Sequence, residues 1–163
     1  MRKLFSQTGM RFLWLSVLGF VLDQLSKNWI VDNIEAYQAI QITTFFNITH
    51  VYNYGAAFSF LSEAGGWQRW FFTIIAFGVS GLILWWLKQT TKEQVILPIA
   101  FCLILGGALG NAYDRLLHGY VIDFLVVYYQ DWYWPAFNIA DSSIFLGATL
   151  LIVEMFINKE QKK

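Results

Sequence analysis

The chain is short of charge. Only 13% of its 163 residues are Asp, Glu, Lys or Arg, against about 25% in ordinary soluble domains. Eleven basic residues balance eleven acidic ones, and there is no basic stripe or Gly-rich phosphate loop, so nothing points to a nucleic-acid partner. Cysteine is nearly missing too. Cys102 stands alone inside an apolar run, which excludes an intrachain disulfide and any Cys-based metal set, and it reads as a packing residue. The two histidines, His50 and His118, fall in loops without close ligand spacing. A carboxylate-amide set could at most hold a hard cation, a haem or thiol redox role lacks ligands, and no metal or cofactor is expected. Linkers, low-complexity tracts and a convincing internal repeat are absent as well.

What the chain has in quantity is hydrocarbon: 57% hydrophobic residues and a mean hydropathy of +0.48. Four runs could span a membrane: Phe12 to Val31, Trp70 to Leu87, Val95 to Tyr113 and Ile139 to Ile157. Each is close to the ~20 residues that a ~30 Å hydrocarbon core demands. The expected fold is an all-α integral membrane protein with four transmembrane helices, forming one membrane-embedded domain over residues 1–163 and read as a monomer. Basic residues sort unevenly between the two sides. Arg2, Lys3, Arg11, Lys88, Lys92, Lys159, Lys162 and Lys163 fall on one, and Arg69 and Arg115 on the other, which predicts that both termini are cytoplasmic. The N-terminus looks like a secretory signal. Its apolar run is too long for one, however, contains Asp23 and Lys27, and lacks a small-x-small cleavage site, so it reads as a retained first span.

On the outer side, Ala36 to His50 alternates well enough for one or two short strands, and Gly119 to Tyr129 is β-prone and hydrophobic. Together they predict a small extracytoplasmic β-rich platform against the membrane surface. Ser62 to Arg69 reads as a surface turn or short amphipathic piece, with Gly65, Gly66 and Trp67 in a mobile segment at headgroup level. The third span carries Gly106, Gly107, Ala108 and Gly110, small residues that let membrane helices approach closely. Asn111 and Arg115 follow on one helix face, with Asp114 on its flank. They read either as an interfacial anchor or as a clamp for a peptide backbone or acyl carbonyl.

The remaining acids stand out against this apolar background. Asp23 and Lys27 share a helix face, either as a mutually neutralising pair or with Asp23 turned into a site and Lys27 reaching the outer surface. Asp123 sits between Ile122 and Phe124 in a sticky segment, where a solvated loop carboxylate is out of place. Asn138 is a good N-cap with Asp141 three residues on, a short-armed capping box in the first turn of the last span. Two aspartates on the outer side that share one proton can activate water and polarise a carbonyl without serine, histidine or metal. A small proton-coupled transporter is the alternative; it would stagger its acids across the bilayer, and here they gather towards one surface.

Five blocks then stand in order. They are Asp23-Gln24-Leu25-Ser26-Lys27, Asn53-Tyr54-Gly55-Ala56-Ala57-Phe58, Gly106-Gly107-Ala108 with Gly110-Asn111-Ala112-Tyr113-Asp114-Arg115, Val121-Ile122-Asp123-Phe124 and Phe137-Asn138-Ile139-Ala140-Asp141-Ser142. In this arrangement the chain resembles the lipoprotein signal peptidases, or signal peptidase II. The resemblance implies a bacterial inner-membrane aspartic peptidase with its site at the outer face. Its substrate would be a diacylglyceryl-modified prolipoprotein, arriving through membrane lipid and cut on the N-terminal side of the lipidated cysteine. The family's catalytic pair falls on Asp123 and Asp141. Its supporting positions fall on Asp23, Asn53, Asn111, Arg115 and Asn138, while Lys27, Gly55 and Asp114 read as structural.

Overall fold

The computed structural model describes residues 2–55, 61–62 and 64–160. Ala56, Ala57 and Phe58 of the second block, and Lys162 and Lys163 at the C-terminus, lie outside the described residues. A short helix α1 (Arg2–Gln7) and a 3-10 turn (Gly9–Phe12) lead into α2 (Leu13–Asn33). Three further long helices follow: α3 (Trp67–Gln89), α4 (Ile96–Leu117) and α5 (Ile139–Glu160). The four long helices coincide with the four apolar runs. Among the described residues, Trp67–Gln89, Ile96–Leu117 and Ile139–Ile157 are long and apolar enough to cross a bilayer. Helix α2 matches them in length, but Asp23, Gln24, Lys27 and Asn28 dilute its second half.

Helix α4 is the centre of the bundle: 56% of its apolar window is buried, against 22% in α3 and 11% in α5. Its small residues explain the position. A Cβ on Gly107 would overlap the Ala140 carbonyl oxygen of α5, and one on Gly106 would meet the Ser16 carbonyl oxygen of α2 at 2.8 Å. Backbones therefore touch on two sides of α4, where a larger residue would wedge them apart. At one end, Met10, Ile83, Leu87, Phe101, Cys102 and Leu105 form an apolar cluster. The N-terminal segment is tied there to the α3–α4 connection. Gly9 N donates to Thr90 Oγ1 at 2.7 Å, and Arg11 Nη2 donates to the carbonyls of Lys92 and Gln94 at 2.6 and 3.0 Å.

At the other end sits an antiparallel sheet of four strands in the order β1 (Ala39–Thr43), β2 (Phe46–Asn53), β3 (Val121–Tyr129) and β4 (Trp132–Tyr133). Ile122 and Phe124 pack beneath it on Ile30 and Ile34 from the end of α2. Ile40, Ile42, Tyr129 and Trp132 are exposed. Two expectations need correcting. Trp67 begins α3, because Gly65 (φ 80°) and Gly66 (φ 99°) turn the chain through left-handed conformations immediately before it. His50 lies in β2, where its Nδ1 pairs with the Ile34 carbonyl at 2.8 Å.

Candidate active site

Strand β3 carries Asp123, and the first turn of α5 carries Asp141. The chain between them folds back along β3. Trp134 N donates to the Val127 carbonyl at 2.8 Å, and Leu125 and Phe137 exchange backbone bonds of 2.8 and 3.0 Å. That return brings Asn138 beside Asp123. Asn138 Oδ1 accepts from Asp141 N at 2.9 Å while its own backbone N donates to Asp141 Oδ2 at 3.3 Å, a reciprocal cap at the start of α5. The same side chain reaches the other acid, Nδ2 donating to Asp123 Oδ1 at 2.7 Å. One asparagine thus touches both carboxylates.

Two more asparagines complete the shell. Asn53 Nδ2 donates to Asp123 Oδ2 at 2.8 Å, and Asn111 Nδ2 donates to Asp141 Oδ1 at 2.7 Å. Every oxygen of the two acids therefore has an N–H against it. Asn53 is itself held, since its Oδ1 accepts from Gly55 N at 2.9 Å, and Arg115 Nη2 donates to the Gly55 carbonyl at 2.8 Å. The Arg115 guanidinium also lies over the Phe72 ring, 5.2 Å from its centroid. Asp123 is only 2% exposed, which excludes the solvated-loop reading. Burial, and then the neighbouring Asp141, push its carboxyl up to about 7 against the pull of Asn53 and Asn138.

A cavity of about 810 Å³ opens over this shell. Asn53, Asn111, Arg115 and Asp141 are among its polar lining residues, while Trp132, Trp134, Phe145 and Leu146 contribute apolar wall. A mostly apolar cavity that also presents amides, a guanidinium and a carboxylate suits a substrate with a polar reacting group and a greasy remainder.

Asp23 and Lys27 are placed differently from the expectation that sent one into the site and the other to the surface. Both are buried, at 0% and 1% exposure, and paired at 2.7 Å. Lys27 is also 2.8 Å from Asp114 Oδ2. Asp23 Oδ1 accepts from Ala140 N at 2.9 Å, and Asp114 Oδ2 accepts from Ile122 N at 3.3 Å. An ammonium between two carboxylates is the low-energy arrangement for charges this deep, and it ties α2, α4, α5 and β3 together under the site. Sequence reasoning missed Gln24, whose Nε2 donates to Asp114 Oδ1 at 2.8 Å and Asp23 Oδ2 at 3.1 Å. Its signal was available, as a third polar residue beside the pair in an apolar run. The wall residues Trp132 and Trp134 carried no such signal.

The bundle, its sheet and this site define a class. The chain is similar to a bacterial membrane enzyme solved by the in meso method at 2.3 Å, with a TM-score of 0.84 and 30% identity over 94% of this chain and 92% of that one. A second structure with the same description, at 1.9 Å, aligns with a TM-score of 0.76 and 30% identity over 89% and 92%. The class is therefore a bacterial membrane enzyme fold. The family model described as Signal peptidase (SPase) II matches residues 15–157. The lipoprotein signal peptidase of Pseudoalteromonas atlantica is 72% identical over 98% of this chain and 98% of its own length. That of Shewanella oneidensis is 51% identical over 96% and 92%. The chain belongs to the signal peptidase II family.

Proposed function

We propose that the protein is the lipoprotein signal peptidase of a bacterial inner membrane. It removes the signal peptide from diacylglyceryl-modified prolipoproteins by an aspartic mechanism centred on Asp123 and Asp141. The observation that carries this reading is Asn138 bonded to both carboxylates, with Asp141 lining a largely apolar cavity. Asp141, at the positive end of α5 and accepting two N–H bonds, is the base that takes a proton from water. Asp123, with its carboxyl at about 7, holds the shared proton and gives it to the scissile carbonyl. Collapse of the tetrahedral intermediate returns a proton to the departing cysteine amine and leaves the signal peptide as a carboxylic acid. Arg115 and Asn53, which line the cavity, hold the substrate backbone. The gathering of acids at one end of the bundle argues against a transporter relay.

In this reading α2 is the fourth span. The attachment of the N-terminal segment to the α3–α4 connection supports it, because α2 then runs from that end to the sheet end alongside α4. Both termini are cytoplasmic, and the site faces outward. Cys102 is 0% exposed, so an engineered cysteine dominates labelling by an impermeant thiol reagent in intact cells. A cysteine at Phe45 labels and one at Glu93 does not; the reverse pattern contradicts the topology.

The catalytic test uses purified protein and a diacylglyceryl-bearing lipopeptide. Asp123→Asn and Asp141→Asn each lose roughly 10³-fold or more in kcat, as loss of a general acid or base does, while remaining folded. Activity is undiminished in chelator. Substantial turnover by either variant removes the aspartic mechanism.

A further inference from the structure

The orientation of each amide in the shell is fixed by what its oxygen accepts. Asn111 is the decisive case. Its Oδ1 receives Lys27 Nζ at 3.1 Å and Asn138 Nδ2 at 3.1 Å. Turned over, the amide would set its NH2 against an ammonium and a second NH2, and its oxygen against the Asp141 carboxylate. All three contacts would be repulsive. The upright amide instead points its N–H at Asp141 Oδ1, at 2.7 Å. Asn138 is constrained by hydrogen bonds alone, through the Asp141 N–H on its Oδ1. Asn111 has a cation behind it as well.

We propose that Lys27 is a positioning residue for the reaction, its buried ammonium locking the Asn111 amide so that the N–H faces Asp141. The ion-pair contacts with Asp23 and Asp114 alone would make Lys27 a fold anchor; the third contact, on Asn111, gives it a line to the reacting acids. Lys27 is held for this task on every side. Asp23 Oδ2 lies at 2.7 Å from α2 itself and Asp114 Oδ2 at 2.8 Å from α4, and both carboxylates are tied in turn to the backbones of α5 and β3. An ammonium with no rotamer freedom presents its remaining proton in one direction. The inference rests on the Asp123 and Asp141 reading given above.

Neutralising Lys27 alone strands two buried carboxylates, which endangers folding. The test therefore uses Lys27→Gln with Asp114→Asn. Wild-type Lys27, Asp23 and Asp114 carry one net negative charge, and so does the double variant, in which only Asp23 is charged. Asp114→Asn alone keeps Lys27 on Asn111 and serves as reference. With the full-length protein in lipid nanodiscs, we expect kcat of the double variant to fall about ten- to hundredfold below that of Asp114→Asn, the size expected when a group beside the reacting atoms is slightly misplaced. KM stays within about twofold, because substrate binding is not what the lock serves. In a background of Asn111→Leu, which removes the amide, the same Lys27→Gln change produces no further loss of kcat. Equal kcat in the double variant and Asp114→Asn overturns the proposal. So does a Lys27 effect that persists undiminished beside Asn111→Leu, or a kcat loss that follows Tm across all the variants. Activity in Asp114→Asn with none in Asp141→Asn shows the aspartate pair intact, so failure of the lock is distinguishable from failure of the mechanism.

Discussion

The two ends of the bundle solve opposite problems with the same four helices. At the end near Thr90 the chain buries apolar groups: Ile83, Leu87, Cys102 and Leu105 are each 3% exposed or less, and neutral hydrogen bonds such as Gly9 to Thr90 close the gaps. At the sheet end Asp23, Lys27, Asp114, Asp123 and Asn138 are buried just as deeply. A buried charge stabilises a fold less than a hydrocarbon of equal volume, so the second arrangement has no justification in stability. One end is closed mainly by apolar packing, and the other departs from it at the proposed site.

Substitutions should separate the ends cleanly. The largest effect is expected from Asp141→Asn, with roughly 10³-fold or greater loss of kcat and little change in thermal unfolding. Next, Leu87→Ala, at a position with 0% exposure, should lower stability by about 2–5 kcal/mol through the cavity it leaves. Its kcat below the unfolding range should match wild type, and a selective kcat loss would break the contrast. Third comes a pH effect on stability. The Asp123 carboxyl is raised from an ordinary value of 3.8 to about 7, so the fold holds a proton that the unfolded chain releases. That contribution is full below the ordinary value and is lost as pH rises through about 7. Wild type should therefore lose stability between pH 5 and 8, and Asp123→Asn should lose less; parallel melting curves would contradict this. Smallest, Thr90→Val leaves the Gly9 N–H unpaired and should cost about 1 kcal/mol without touching turnover.

Much of this contrast was legible in the sequence. Helix positions followed from long apolar runs, and the capping role of Asn138 from its spacing to Asp141, because both are local rules. The approach of Asp123 to Asp141 was not local. It depends on backbone pairing between Leu125 and Phe137 across a turn whose composition announces only aromatic surface. Asp23 and Lys27 were ambiguous for a related reason. An i, i+4 pair on one helix says that the two side chains meet, while the third partner, Asp114, comes from another helix. The polar shell is therefore readable as a set of residue types before it is readable as a geometry.

If one proton shared by Asp123 and Asp141 drives peptide hydrolysis, the pH dependence of kcat/KM carries its signature, since it reports the free enzyme. With Asp123 holding that proton up to about 7, kcat/KM should fall along a limb centred there, steepening to about tenfold per pH unit above it. A rate that stays level or climbs from pH 6 to pH 9 would mean that no protonated carboxyl is needed, and would rule out the shared proton.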